Sequence, residues 1–105
     1  MNDELSIKLF RELEKNPEQS QRALSLSCCV SLGSIHHCLN ALIKKGYVKA
    51  KNFKNAKNKL AYAYILTPSG LNIKKELYSA FLKRKQAEYA ALQKEIAILQ
   101  KDLRR

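Results

Sequence analysis

Apolar positions recur along this chain with two different periods, and the places where the period changes divide it into elements. Leu5, Leu9 and Leu13 fall four residues apart, which predicts a helix from Asp3 to Asn16. Asn2 or Asp3 can cap it, acids stand in its first turn, and Asn16-Pro17 stops it. Ile7 and Phe10 lie off that stripe. This helix is therefore expected to pack on two sides, one toward its own domain and one toward a partner helix. Ser20 caps a second helix over residues 21–28 with Ala23, Leu24 and Cys28 inward, and Val30-Ser31-Leu32-Gly33 forms a turn. Ser31 or Leu32 opens a third helix that ends at Gly46, a residue suited to the left-handed position after a helix end. At 100° per residue, Ile35, Cys38, Leu39, Leu42 and Ile43 share one face of this third helix. Gly33, His37, Asn40, Ala41 and Lys44 share the opposite face, flanked by Ser34 and His36.

The period then drops to two. Tyr47 to Phe53 and Leu60 to Thr67 read as strands, the second alternating Tyr62, Tyr64 and Leu66 with Ala61, Ala63 and Ile65. A polar Lys/Asn connector joins them. From Pro68, with Thr67 as cap, the pattern is helical to the end, roughly 35 residues and about 50 Å at the usual rise. Tyr89, Leu92, Ile96, Leu99 and Leu103 follow heptad spacing, with Tyr89, Ile96 and Leu103 at a and Leu92 and Leu99 at d. Leu82 and Tyr78 extend the seam upstream across a polar Lys85. The g positions hold Glu88, Glu95 and Asp102, and the e positions hold Gln86, Gln93 and Gln100. Parallel pairing sets acid against Gln, whereas antiparallel pairing sets acid against acid, a slight lean toward parallel that leaves both orientations open. Folding of this helix back onto its own domain is the competing arrangement.

The expected fold is mainly α with a two-stranded β-wing: a winged helix-turn-helix over residues 1–70, followed by a long dimerisation helix over residues 71–105. The dimerisation residues are Leu82, Tyr89, Leu92, Ile96, Leu99 and Leu103. At 105 residues the chain is one domain with an appendage, and its core is modest, so oligomerisation would help it.

Charge adds a direction to this frame. The formal net charge is +11, and it is segregated. Acids gather before Glu18, none occurs between Glu18 and Glu76, and Lys44, Lys45, Lys49, Lys51, Lys54, Lys57 and Lys59 fill the middle. An ordinary exposed helix carries Glu–Lys pairs; the third helix carries none, which favours a polyanion as partner. In a helix-turn-helix the second helix lies in the major groove. Ser34, His37 and Asn40 are then the base-facing candidates, with His36 reaching base or backbone. Asn suits the paired donor and acceptor of adenine. Lys44, Lys45 and the wing lysines Lys51, Lys54, Lys57 and Lys59 suit phosphates, which give affinity and salt dependence rather than sequence choice. A lysine-rich loop serving only solubility and an anionic membrane surface are the weaker readings.

Other chemistry is thinly supported. There is no phosphate loop, nucleophile elbow or carboxylate pair, so an enzyme is not expected. Cys28, Cys29, His36, His37 and Cys38 invite a metal, but Cys38 and His37 point to opposite faces, so neither metal nor cofactor is expected. A redox role for Cys28 or Cys29, near a turn and basic residues that would lower a thiol pKa, is a minor alternative. The acidic first residues lead to the expectation of no signal peptide, no run of about 20 apolar residues occurs in the sequence, and the odd cysteine count fits a reducing cytoplasm.

On these residues the chain resembles the MarR-type winged-helix transcription regulators, and more closely the short MarR-like regulators associated with bacterial exopolysaccharide gene clusters. The resemblance is carried by Ser31-Leu32-Gly33, by the run from Ala41 to Asn55, by Asn58-Lys59-Leu60-Ala61-Tyr62 and by Phe81-Leu82-Lys83-Arg84-Lys85. It implies a homodimer that binds double-stranded DNA. It departs from the common pattern in two ways. One helix precedes the helix-turn-helix and one follows the wing, which makes a small-molecule effector doubtful. The wing also has Lys and Asn where such proteins commonly carry an Asp and Arg pair. A winged helix used for protein interaction or for non-specific nucleic-acid binding, including RNA, is the alternative of another class.

Overall fold

The computed structural model describes residues 3–53 and 61–105. Its order is α1 (Asp3–Lys15), α2 (Gln21–Cys28), α3 (Leu32–Lys44), β1 (Val48–Phe53), β2 (Ala61–Leu66) and α4 (Pro68–Leu103). Within the described residues the expected boundaries hold to within two residues; the Asn2 cap expected for α1 and the strand start expected at Leu60 lie outside them, and the other three helix starts each have a chemical cause. Ser20, Ser31 and Thr67 cap α2, α3 and α4 by accepting the backbone N–H groups of Ala23, Ser34 and Gly70. Gly46 takes the left-handed conformation expected after α3, at φ 77°. The end of α2 uses the same conformation without glycine. Cys29 sits at φ 57°, and its N–H and that of Val30 close onto Leu26 and Ser25.

The core lies between the helix-turn-helix, α1 and the base of the wing. Leu9, Phe10, Leu24, Ile35, Leu39 and Leu42 are fully buried, joined by Leu5, Leu13, Cys28, Cys38, Val48 and Tyr64. The inward face predicted for α3 is the one observed, with Ile43 half-buried at its edge. Phe10 belongs to this core, and Ile7 is buried beside a groove that α1 forms with α4. The second apolar side of α1 is thus turned toward α4 of its own chain, with an open groove between the two helices. A stripe that turns gradually around a helix suits two neighbours of any origin, and sequence alone does not say whose they are.

The wing is an antiparallel pair whose backbone register sets Val48 opposite Leu66 and position 53 opposite position 61. Ala63 and Tyr64 are both buried although they point to opposite faces, so the middle of β2 is covered on both sides. The Tyr64 N–H also donates to the Pro17 carbonyl at 2.9 Å, which ties the wing to the α1–α2 connector.

The first three turns of α4 pack on the domain through Ile73 and Leu77. An ion pair from Lys74 to Glu14 fastens them to α1. Past Phe81 every residue of α4 is exposed. The helix does not fold back; it runs out of a molecule 68 Å long and 28 Å wide.

Candidate nucleic-acid interface

Ser31 caps α3 with its hydroxyl, and the Ser34 hydroxyl lies 2.9 Å from the same oxygen. Ser34 is therefore at the helix start and exposed, but its hydroxyl is shared with the cap. One turn on, His36, His37 and Asn40 are all exposed, as expected from the face opposite Ile35 and Leu39. His37 has no hydrogen-bond partner among the described residues. His36 and Asn40 have each other: Asn40 Nδ2 lies 3.1 Å from His36 Nε2. His36 Nδ1 in turn lies 3.2 Å from Gln21 Oε1. Gln21, the first residue of α2, carries no sequence signal for this role. No spacing signals a contact made across 15 residues and a turn.

Lys44 and Lys45 are exposed at the end of α3, where cations complement the helix dipole. Lys49 and Lys51 are exposed on β1. The expected phosphate contacts Lys54, Lys57 and Lys59 lie outside the described residues. What is described is a polar, acid-free helix face continuous with a basic strand. Such a surface offers donors to base edges and positive charge to phosphates at the same time.

The cysteines do not join this surface. Among the described residues no group of three or more His, Cys, Asp or Glu side chains converges as a metal site would require. Burial pushes the Cys28 thiol above its ordinary pKa, with Glu12 adding to the rise. This reverses the lowered pKa considered for Cys28. Cys38 is raised by burial too, although the Ser6 hydroxyl, 3.7 Å from its sulfur, works the other way. Cys29 alone is exposed. In the native protein at neutral pH, a thiol reagent such as iodoacetamide will modify Cys29, while Cys28 and Cys38 will react only after unfolding; peptide mass mapping checks this.

A second feature lies away from this surface. Between α1 and α4 is an apolar groove of about 460 Å³ lined by Ile7, Tyr78, Phe81 and Leu82 and rimmed by Arg11 and Lys85. The Tyr78 hydroxyl is buried with no hydrogen-bond partner among the described residues, and burial raises its pKa. The groove continues into the exposed seam of α4.

Comparisons with known proteins agree with this architecture. Residues 2–49 match a family model described as winged helix-turn-helix DNA-binding. No curated protein matches the chain. Among solved structures, a mutant of MepR from S. aureus is similar at 16% identity and a TM-score of 0.63, over 98% of this chain and 77% of that one. The PcaV transcriptional regulator from Streptomyces coelicolor is similar at 15% identity and a TM-score of 0.61, over 92% of this chain and 76% of that one. FabT from Streptococcus pneumoniae, solved in complex with DNA, is similar at 22% identity and a TM-score of 0.54, over 98% of this chain and 74% of that one. Among the described residues no single helix is long and apolar enough to cross a membrane. By its fold, this chain is a winged helix-turn-helix with a long C-terminal helix, an architecture it shares with MepR and the PcaV transcriptional regulator.

Proposed function

We propose that this protein is a sequence-specific, double-stranded DNA-binding transcription regulator that works as a homodimer. The observation that carries the reading is the acid-free exposed face of α3 set beside the basic strand β1. Residues 1–70 form the DNA-binding unit. Asn40, His37 and Ser34 face the bases, with His36 beside them. Lys44, Lys45, Lys51, Lys54, Lys57 and Lys59 face phosphates. The winged helix-turn-helix match over residues 2–49 and the DNA complex of FabT support the choice of DNA as partner.

Residues 71–105 form the dimerisation helix, its first turns shared with the core. Leu82, Tyr89, Leu92, Ile96, Leu99 and Leu103 are each at least 46% exposed in the single chain. A helix with that stripe bare to water is marginal alone and invites a second copy. Burying such a side chain stabilises by about 1.5–3 kcal/mol, so six from each helix outweigh an association cost of about 4–15 kcal/mol. A two-fold dimer reads two half-sites about one helical turn apart. Occupying such a site suffices to block a polymerase, so repression is the simplest mode of action. The resemblance to regulators of exopolysaccharide clusters makes those genes the first targets to examine.

The deciding experiment is selection of bound duplexes from a random DNA library at physiological salt. Enrichment of an inverted repeat is the expected result. Salt-sensitive binding without enrichment would replace this reading with that of a non-specific binder. The lysines have their own expected outcome. Replacing Lys54, Lys57 and Lys59 together with Ala will weaken binding to all duplexes alike. The slope of log affinity against log salt will flatten by about 2–3, measured by fluorescence anisotropy across a salt series.

A further inference from the structure

His36 and Asn40 do not meet solvent as independent side chains. They end a hydrogen-bonded chain that draws on β2, α2 and α3. Gln21 Nε2 donates to the Tyr64 hydroxyl at 3.2 Å, Gln21 Oε1 faces His36 Nδ1, and His36 Nε2 faces Asn40 Nδ2. The far end is anchored: Tyr64 is buried, and its backbone N–H is held by Pro17. With its amide nitrogen on Tyr64, Gln21 turns its oxygen to the imidazole. An amide oxygen only accepts, so Nδ1 carries the ring proton. In a neutral imidazole Nε2 is then an acceptor and takes a proton from the Asn40 amide. That leaves Asn40 with Oδ1 and one N–H for another partner, the pair that complements the N6 amine and N7 of adenine.

We propose that Gln21 is a positioning residue for base recognition. From α2 it holds His36 in the Nδ1–H form, and His36 holds the Asn40 carboxamide in the orientation that selects adenine. This rests on the reading of α3 as the base-facing helix. Without an acceptor at position 21 the ring favours the Nε2–H form, whose proton calls for the Asn40 oxygen instead. The amide then turns over, and both remaining N–H groups face outward. Two donors match the N7 and O6 acceptors of guanine and not the adenine edge. Gln21 touches no base in this scheme; it acts through two other side chains.

The test pairs a spectroscopic readout with a binding readout. Gln21→Met keeps chain length and removes the acceptor. Long-range proton–nitrogen NMR on the DNA-free, full-length protein, with the two histidines distinguished by a His37→Gln variant, reports the tautomer of the neutral His36 ring. Wild type is expected in the Nδ1–H form and Gln21→Met in the Nε2–H form. Duplex selection then compares wild type, Gln21→Met and Asn40→Ala. The position whose preference Asn40→Ala erases is expected to be adenine, and Gln21→Met is expected to lower that preference about tenfold while leaving binding to random duplex unchanged. An Nε2–H ring in wild type, an unchanged ring in Gln21→Met, a base other than adenine at that position, or an unaltered preference in Gln21→Met would each overturn the proposal. Wild-type protein that enriches no sequence overturns the reading of α3 itself, and this inference with it.

Discussion

Gly70→Ala will be the most damaging small substitution in this chain. It will cost about 3 kcal/mol of stability and lower the thermal midpoint by about 12–20 °C. A methyl group at Gly70 would lie 2.0 Å from the Tyr47 carbonyl oxygen and 2.9 Å from its carbon. Those atoms are backbone, so no side-chain rotation relieves the clash. Nor can the backbone withdraw easily. The Tyr47 carbonyl accepts the Thr67 N–H at 3.1 Å, the Thr67 hydroxyl donates to the Gly46 carbonyl, and the Thr67 oxygen also receives the Gly70 N–H that starts α4. The start of β1, the end of β2 and the first turn of α4 are thus one knot, with Gly70 at its closest approach. Opening it shifts the wing relative to α3, so affinity for DNA will fall together with stability. Ser69→Ala, an exposed neighbour in the same turn, is the control and will change neither. Differential scanning calorimetry of the two variants decides the matter; a midpoint for Gly70→Ala within a few degrees of wild type would refute the close packing described.

That knot also shows where sequence reading reaches its limit. The helix starts were legible because a serine or threonine followed by an apolar period is local chemistry, and Ser20, Ser31 and Thr67 act as the caps they resemble. The buried face of α3 was legible because five apolar residues keep to one side of it. Gly70 was legible only as a residue near a helix start, since its need for no side chain comes from Tyr47, 23 residues earlier. Cys29 carries no signal for its left-handed conformation, which the following turn imposes. In β2 the expected alternation gives way at Ala63 and Tyr64, because a strand covered on both faces no longer separates inside from outside. The candidate site divides the same way. The exposure of His36, His37 and Asn40 follows from helical period alone. The link from Asn40 through His36 to Gln21 and Tyr64 depends on how three elements meet.

The second large effect is expected from charge placed in the α4 seam. If the chain pairs through α4 as proposed, Ile96→Lys with Leu99→Lys will give a monomer while leaving the winged helix folded. Ile96 is 46% and Leu99 67% exposed in the single chain, so neither contributes to its core. Lysine is also a good helix former, so α4 will keep its helicity in circular dichroism. In a paired seam, by contrast, four lysines meet at the a and d layers that should be dry, in either orientation of the helices. Cutting the chain after Arg84 removes the same surface and will also give monomers by sedimentation. Lys101→Ala, on the outward face of the helix, is the control that stays dimeric. DNA binding follows directly. A dimer delivers its second winged helix at high effective concentration, a gain of about 10²–10⁴ over a single module, and both monomeric forms will lose affinity for a two-half-site duplex by about that factor. Their affinity for an isolated half-site will stay near that of wild type. A double variant that sediments as a dimer would place the interface elsewhere, and the first surface to probe would then be the α1–α4 groove around Ile7, Phe81 and Leu82.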